Sequence, residues 1–435
     1  MGKHIIEEAQ RCLQCKNPQC QKGCPAGTPI KEMIASMLRG DMLNAGERLF
    51  MNNPLSVICA LICPHEKFCE GHCILGRKQS PVQISSIENY ISSYFLDQVR
   101  LTPAISTGKM VAVIGSGPAG ITVAFMLAQR GYGVTIFESS ERIGGVLQYG
   151  IPEYRLPKSI LREIEEMLVS IGVKIRPNIR IGPVLTIDDL FRDGYQSVFI
   201  GTGVWNPRPL RIPGESLGHV HYAINYLKNP DVYSLGRRVC VIGAGNVAMD
   251  VARTALRKGV REVYVLYRRG EADIPATHYE YEYARIEGVR FEFFKSPTAI
   301  VPEGVRYVET EMRPCEDGTE ALYCVEERTG LFAADSVIIA ASQSPANTLV
   351  SSTPNLQTNS SGLLLTGEDG QTSVPGIYAS GDVVTGAKTV VEAVRFSKKA
   401  AEAMVKYMER EAKGSGEDRP LASCLENPVI KNKKI

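Results

Sequence analysis

No stretch of the chain approaches the roughly 18 to 20 consecutive apolar residues that span a bilayer, and the formal net charge is only +2. The first absence argues against a membrane partner. The second removes the basic excess that a nucleic-acid partner demands, and no acidic tail replaces it. Residues 1–30 lack the basic start, apolar stretch and small-residue cleavage site of a secretory leader. Met1-Gly2 is followed by Ile6 where myristoylation needs Ser or Thr. A reducing, cytoplasmic setting is the expectation. From residue 74 onward there is no C-x-x-C, so the redox-active pair of a disulfide reductase is missing.

Cysteine is present, but crowded at one end. Eight of the twelve cysteines lie within the first 73 residues, as C-x2-C-x4-C-x3-C-P (Cys12, Cys15, Cys20, Cys24) and C-x3-C-P-x4-C-x3-C (Cys59, Cys63, Cys69, Cys73). A disulfide framework needs an oxidising compartment. Structural zinc favours paired C-x2-C knuckles, and only Cys12 and Cys15 have that spacing. Thiolates at such short intervals suit soft iron in clusters. Cys240, Cys315, Cys324 and Cys424 are isolated and read as inert buried thiols.

With 435 residues and 44% hydrophobic content, two or three domains are expected. Thr28-Pro29 starts one helix, whose apolar face is Ile30, Met33, Ile34, Met37 and Leu38 before Gly40. A second runs from Asp41 to Met51. From Met110 the pattern changes to alternating strand and helix. The strand Met110–Ile114 meets Gly115-Ser116-Gly117-Pro118-Ala119-Gly120, and the strand Val134–Phe137 ends on Glu138. Strand, glycine turn, helix and terminal acid together form a dinucleotide fingerprint, with Glu138 placed for a ribose hydroxyl. It recurs as Arg238–Ile242, Gly243-Ala244-Gly245-Asn246-Val247-Ala248, and a strand from Glu262 that ends on Arg268-Arg269. A carboxylate there repels a 2′-phosphate and guanidiniums attract it, so the second turn reads as NADPH-binding and the first as FAD-binding.

The fold class expected is α/β. An N-terminal helical iron–sulfur domain (1–105) precedes two Rossmann-like domains, with the NADPH-binding domain (229–336) inserted between two FAD-binding parts (108–228 and 337–412). Residues 413–435 read as a flexible tail.

These motifs, with YGIPEYRLP at Tyr149–Pro157, Ile200-Gly201-Thr202-Gly203, YRRG, ASGD and KTVVEA, resemble the small flavin-containing subunit of bacterial glutamate synthase. The resemblance runs from Cys12 to about Ala401. It extends to the NAD(P)H-oxidising part of dihydropyrimidine dehydrogenase and the large subunit of the bifurcating ferredoxin:NADP oxidoreductase. It implies two 4Fe-4S clusters with interleaved ligands: Cys12, Cys15, Cys20 and Cys73 for one, and Cys24, Cys63, Cys69 and a non-cysteine residue for the other. Alignment places Glu88 in that last role and leaves Cys59 spare, against the simple four-by-four assignment. For FAD it adds Gly145, Arg155, Gly203, Gly381 and Asp382. Ser397 stands where such proteins usually have glycine. Flavin converts a hydride pair into single electrons, so no protein acid–base residue is required. The function expected is an NADPH-oxidising subunit that feeds a redox partner or larger catalytic subunit in a hetero-oligomer; the alternatives are the other two complexes, or a non-enzymatic redox sensor.

Overall fold

The computed structural model describes residues 2–314, 320–414 and 431–432. It divides into two units, one formed by residues 1–148, 153–204 and 345–435 and the other by 149–152 and 205–344.

The first unit opens with helices α1 (Gly2–Gln10), α2 (Gln19–Gly23), α3 (Ile30–Leu38), α4 (Met42–Asn52), α5 (Ser56–Ile62) and α6 (Ile84–Gln98). In α3 the residues at helical spacing, Ile30, Met33, Ile34 and Met37, are all buried, and they meet Ala45 and Leu49 of α4 and Ile84, Ile87 and Ile91 of α6. Gly40, just past the end of α3, stands at φ +81° in left-handed backbone. Asp41 then caps α4 by accepting from the Asn44 N–H. A parallel sheet follows, from β1 (Met110–Ile114), β2 (Gly133–Phe137), β3 (Lys174–Arg176) and β4 (Tyr195–Ile200), with α7 (Pro118–Ala128) between β1 and β2. Nearly every residue of α7 is buried. That fits its apolar composition, since a helix hydrophobic all round must be covered on both sides. The ring of Phe125 meets Phe50 of α4 edge-on at 5.0 Å, so the helical segment packs directly on α7.

The chain then enters the second unit. Its strands are β5 (Val220–Tyr222), β6 (Arg238–Ile242), β7 (Glu262–Leu266) and β8 (Arg290–Glu292). Then come β9 (Lys295–Val301), β10 (Gly304–Pro314), β11 (Glu320–Ala333) and β12 (Ser336–Ile339). The parallel sheet has the order β8-β7-β6-β12-β5, and β9, β10 and β11 form a separate antiparallel sheet. Helix α8 (Asn246–Arg257) follows β6.

Return to the first unit brings β13 (Ile377–Ala379), beside β4 at the edge of the order β13-β4-β1-β2-β3, and the long α9 (Val390–Gly414), which packs on α7.

Two expected boundaries move. β12 pairs with β5 and β6, so the strand expected near Val337 belongs to the inserted sheet and not to the second FAD part. β5, read as part of the first FAD segment, also belongs there. The inserted unit therefore spans 205–344 and not 229–336. The helical segment does not separate from the flavin unit either, because α4 and α6 share buried contacts with each other and α4 with α7. The tail expected from 413 starts inside α9, which reaches Gly414. Beyond it only Lys431–Asn432 is described, as a strand against Val99–Arg100, and the rest of that expectation lies outside the described residues.

Candidate cofactor sites and electron path

At the first glycine turn, Gly115 has φ +94° and a Cβ there would lie 2.7 Å from the Gly201 carbonyl. A Cβ on Gly120 would meet the Gly115 carbonyl at 2.0 Å. Only glycine lets strand, turn and helix approach so closely. Gly117 differs: its nearest neighbour would be 3.9 Å away. It precedes an α7 that carries no side-chain cap, so open space lies over unpaired N–H groups with the partial positive charge of a helix start. Gly145 (φ +54°) and Gly381 (φ +77°) close in beside Gly117 and Ala119, and Gly203 is also left-handed at φ +71°. Glu138 is buried and fixed: its carboxylate accepts from Ser116 N–H (3.0 Å), Ser116 Oγ (2.5 Å) and Ser140 N–H (2.7 Å). Asp382 accepts from the Lys388 N–H at 3.1 Å, and burial, with the charge of Glu392 adding, pushes its carboxyl up to about 6. Arg155 lies in the same unit, in the segment between β2 and the helix Lys158–Ser170. The set fits a flavin dinucleotide: close glycines, an open helix start and a rigid acid at the end of β2.

The second turn repeats this chemistry. Gly243 (φ +117°) would place a Cβ 2.5 Å from the Ala340 carbonyl, while Gly245 would meet nothing within 4 Å. Helix α8 begins at Asn246 without a side-chain cap. The Asn246 side chain accepts from the Thr277 N–H at 2.9 Å, and Val247 is exposed beside it. At the end of β7 the backbone is pinned, since the Arg268 carbonyl accepts from Thr310 Oγ1 at 2.6 Å and the Arg269 carbonyl from Phe294 N–H at 3.2 Å. Arg268 is exposed with no ion pair among the described residues, and Arg269 has a loose one, 3.9 Å from Asp273. Both remain available for a phosphate.

The cysteines sort by space and not by sequence group. Cys12, Cys15, Cys20 and Cys73 line one pocket with Leu13, Ile30, Ile34 and Ile74. All four are partly exposed. Burial pushes the Cys20 thiol up to about 11, with Cys73, Cys12 and Cys15 adding to the rise. Cys24, Cys63, Cys69 and Glu88 form the other set, in which Cys69 and Glu88 are buried and Cys24 and Cys63 partly exposed. Burial raises Cys69 far above an ordinary thiol, and Glu88, Glu70 and Cys24 reinforce it. Cys63 is raised first by a hydrogen bond with Cys59 and then by burial, with Glu88 and Cys69 contributing. Glu88 is only 5% exposed, and its carboxyl is pushed up to about 8 by burial, with Glu70 adding. Buried thiols and a buried carboxyl without a cation are unfavourable as anions. Iron supplies the missing charge, so the donor set fits a cluster.

The position of Glu88 on α6 follows from two anchors that sequence reasoning missed. Glu8 accepts from the Gln83 N–H at 2.8 Å, and Glu70 from Ser85 N–H at 2.9 Å and Ser85 Oγ at 2.7 Å. They fix both the register and the start of α6. Cys59 is buried beside Cys63, and Asn53 Nδ2 donates to its sulfur at 3.3 Å. Elsewhere, Cys240 is buried in β6 but Cys324 is exposed on β11. The reading of Cys324 as a buried thiol is therefore corrected, because β11 is the outer strand of its sheet and none of its residues is buried. Cys315 and Cys424 lie outside the described residues. Among the described residues no helix is long and apolar enough to cross a membrane.

The family model described as pyridine nucleotide-disulphide oxidoreductase matches residues 109–396. The one described as dihydropyrimidine dehydrogenase domain II, 4Fe-4S cluster, matches 1–99. The chain thus belongs to the pyridine nucleotide-disulphide oxidoreductase family, among the FAD/iron–sulfur proteins like the glutamate synthase small chain. It is 32% identical to the glutamate synthase [NADPH] small chain of Escherichia coli (strain K12), over 92% of this chain and 91% of that one. It is also 32% identical to the NAD-dependent dihydropyrimidine dehydrogenase subunit PreT of Salmonella typhimurium (strain LT2), over 93% and 94%. The solved structure of Mycobacterium tuberculosis FprA in complex with NADPH shares the fold, with a TM-score of 0.61 at 19% identity over 72% of this chain and 87% of that one. The protein is an NAD(P)H-dependent flavin oxidoreductase with an iron–sulfur domain.

Proposed function

We propose that this chain is the electron-input subunit of a larger complex. NADPH is oxidised at its FAD, and electrons leave through two 4Fe-4S clusters to a catalytic partner in a reducing, cytoplasmic compartment. Bound FAD supplies the conversion of a hydride pair into single electrons. The protein's own residues do the rest. Glu138 and the two open helix starts hold the dinucleotides, Arg268 and Arg269 receive a 2′-phosphate, and the cysteine sets hold the iron.

One observation carries this reading: the set with Glu88 contains two buried donors, Cys69 and Glu88, and the set with Cys12 contains none. In the set with Glu88, Cys24 and Cys63 are partly exposed, and the loop after Cys24 is bonded to α9 of the flavin fold through the Lys398 ammonium on the Ala26 carbonyl. The set with Cys12 is partly exposed, bordered by Leu13 at 59% exposure and Ile74 at 38%. A wire needs one buried end and one accessible end. With the groups bound, the donors around Glu88 would hold the cluster on the flavin side, and Cys12, Cys15, Cys20 and Cys73 would hold the one that faces a docked partner. The partner reading follows the relatives. A glutamate synthase large chain is the first choice, and the equal likeness to PreT makes a pyrimidine-reducing chain the second.

The test uses the whole chain, since removing the helical segment would bare Phe125. Wild type should hold about eight irons and one FAD. The variant Cys15→Ser should lose the outer cluster and partner-dependent turnover on reconstitution with either large chain, while NADPH still bleaches the flavin. Undiminished partner turnover in that variant sinks the wire, and absent bleaching by NADPH in wild type favours a redox sensor.

A further inference from the structure

A lysine from the flavin half reaches the ligand loop of the deep cysteine set. Lys398 of α9 donates to Asn52 Oδ1 at 2.7 Å and to the Ala26 carbonyl at 3.4 Å. Asn52 Nδ2 donates to the same Ala26 carbonyl at 3.3 Å. Ala26 is two residues beyond Cys24, and Cys24 lies within electrostatic reach of the Lys398 ammonium. The next residue back, Ser397, is buried and bonded to Ser380, the residue before Gly381. This stretch of α9 thus touches the flavin-side strand end through one residue and the cluster loop through the next.

From this geometry we infer that Lys398 is the positioning cation of the deep cluster: it fixes the Cys24 loop against the flavin unit and makes that cluster easier to reduce. The inference rests on the two-cluster reading above.

The electrostatics follow from counting charges. Three thiolates and the Glu88 carboxylate bring four negative charges to the deep set. Glu70 stands nearby as a further carboxylate. Reduction adds one electron to the cluster and forms or breaks no bond in the protein. The added negative charge is disfavoured by the carboxylates and favoured by a fixed ammonium. In a medium of effective dielectric about 20, a unit charge roughly 10 Å away changes such an equilibrium by about tenfold. The outer set is built on other residues and does not include Cys24, so the effect should be confined to one cluster. A carboxylate ligand lowers a cluster's potential; Lys398 offsets that cost at the point where the electron must enter.

The experiment is an anaerobic redox titration of the full-length holoprotein, followed by electron paramagnetic resonance, with dithionite as reductant. Wild type is compared with Lys398→Met, Lys398→Gln and Lys398→Arg, with iron and FAD content measured for each. Met and Gln should lower one midpoint by about 59 mV, the one-electron equivalent of tenfold, and leave the other unchanged. Arg should keep the wild-type value. Gln retains a donor for Asn52, so a shift shared by Met and Gln reports charge and not lost packing. Unchanged midpoints, an equal shift of both clusters, or loss of the deep cluster in all three variants each overturn the proposal. Failure of the underlying reading looks different: wild type itself would then show fewer than two cluster signals.

Discussion

Ser397 Oγ lies 2.7 Å from Ser380 Oγ, with both residues buried. Ser380 ends the segment that leads into Gly381-Asp382, and its N–H donates to the Ile200 carbonyl of β4 at 3.4 Å. The pair ties α9 to the end of β13. Ser397→Ala leaves a buried hydroxyl without its partner, which costs about 1 to 3 kcal/mol. Ser397→Gly adds the helix penalty of glycine, about 1 kcal/mol. Thermal unfolding of holoprotein should rank wild type above Ala and Ala above Gly. A variant as stable as wild type would show that the pair contributes nothing.

Gly245 gives a sharper separation of fold from binding. A methyl there meets no protein atom within 4 Å and the backbone is not left-handed, so Gly245→Ala should unfold at the wild-type temperature and retain its FAD. The same methyl fills the space over the α8 start that a pyrophosphate needs. KM for NADPH should rise at least about tenfold, and steady-state kinetics beside a melting curve will show both. Unaltered KM would move the pyrophosphate elsewhere.

How much of this was legible beforehand depends on the range of the interaction. The glycine turns, Glu138 and the Arg268-Arg269 pair are local signals, and the sequence period places them correctly on strand ends and helix starts. The helical hairpin Ile30–Leu38 and Met42–Asn52 was legible for the same reason. The edges of the inserted unit were not. β5 and β12 are short, apolar strands, and nothing in a short apolar run says which of two parallel sheets it will join. Lys398 was invisible because Lys398-Lys399 on an amphipathic helix reads as a solvated face. Only the packing of α9 shows that one of the two is bound to Asn52.

Asp382 should leave a pH signature in the FAD-free protein. Its carboxyl is raised from 3.8 to about 6, so the folded state holds the proton more tightly than the unfolded one. The stability this gives is fully present below about pH 4 and is lost as pH rises through about 6. Across that window wild type should lose up to about 3 kcal/mol relative to Asp382→Asn, from about 1.36 kcal/mol per unit. Urea midpoints at pH 4.5 and 7 measure it. Parallel pH profiles for the two proteins would refute the assignment.

The preference for NADPH should reside in two side chains. Arg268 is exposed and without an ion pair among the described residues, and Arg269 is held only at 3.9 Å by Asp273. A charge-assisted hydrogen bond contributes about 1.5 to 3 kcal/mol, and 1.4 kcal/mol is about tenfold in affinity. Arg268→Gln should therefore raise KM for NADPH at least about tenfold and leave NADH unchanged, by stopped-flow reduction of the flavin. Equal losses with both nucleotides would mean that the arginines support the turn and do not read the phosphate.

The choice between Glu88 and Cys59 as the last donor of the deep cluster can be decided by a pair of conservative variants. Both side chains are buried next to Cys63. Cys59, however, already receives a hydrogen bond from Asn53 Nδ2 at 3.3 Å. Glu88 has no ion pair among the described residues and acts electrostatically on all three of Cys24, Cys63 and Cys69. A group surrounded by the other donors, held on a helix pinned by Glu8 and Glu70, is the better ligand. Cys59→Ser should then keep about eight irons and both resonance signals. Glu88→Ala should lose or convert one cluster, and Glu88→Gln, with a neutral oxygen donor at the same place, should keep it at a higher midpoint potential. Loss of a cluster in Cys59→Ser with both signals intact in Glu88→Ala would instead assign four cysteines to each cluster, and the deep set would carry no carboxylate ligand.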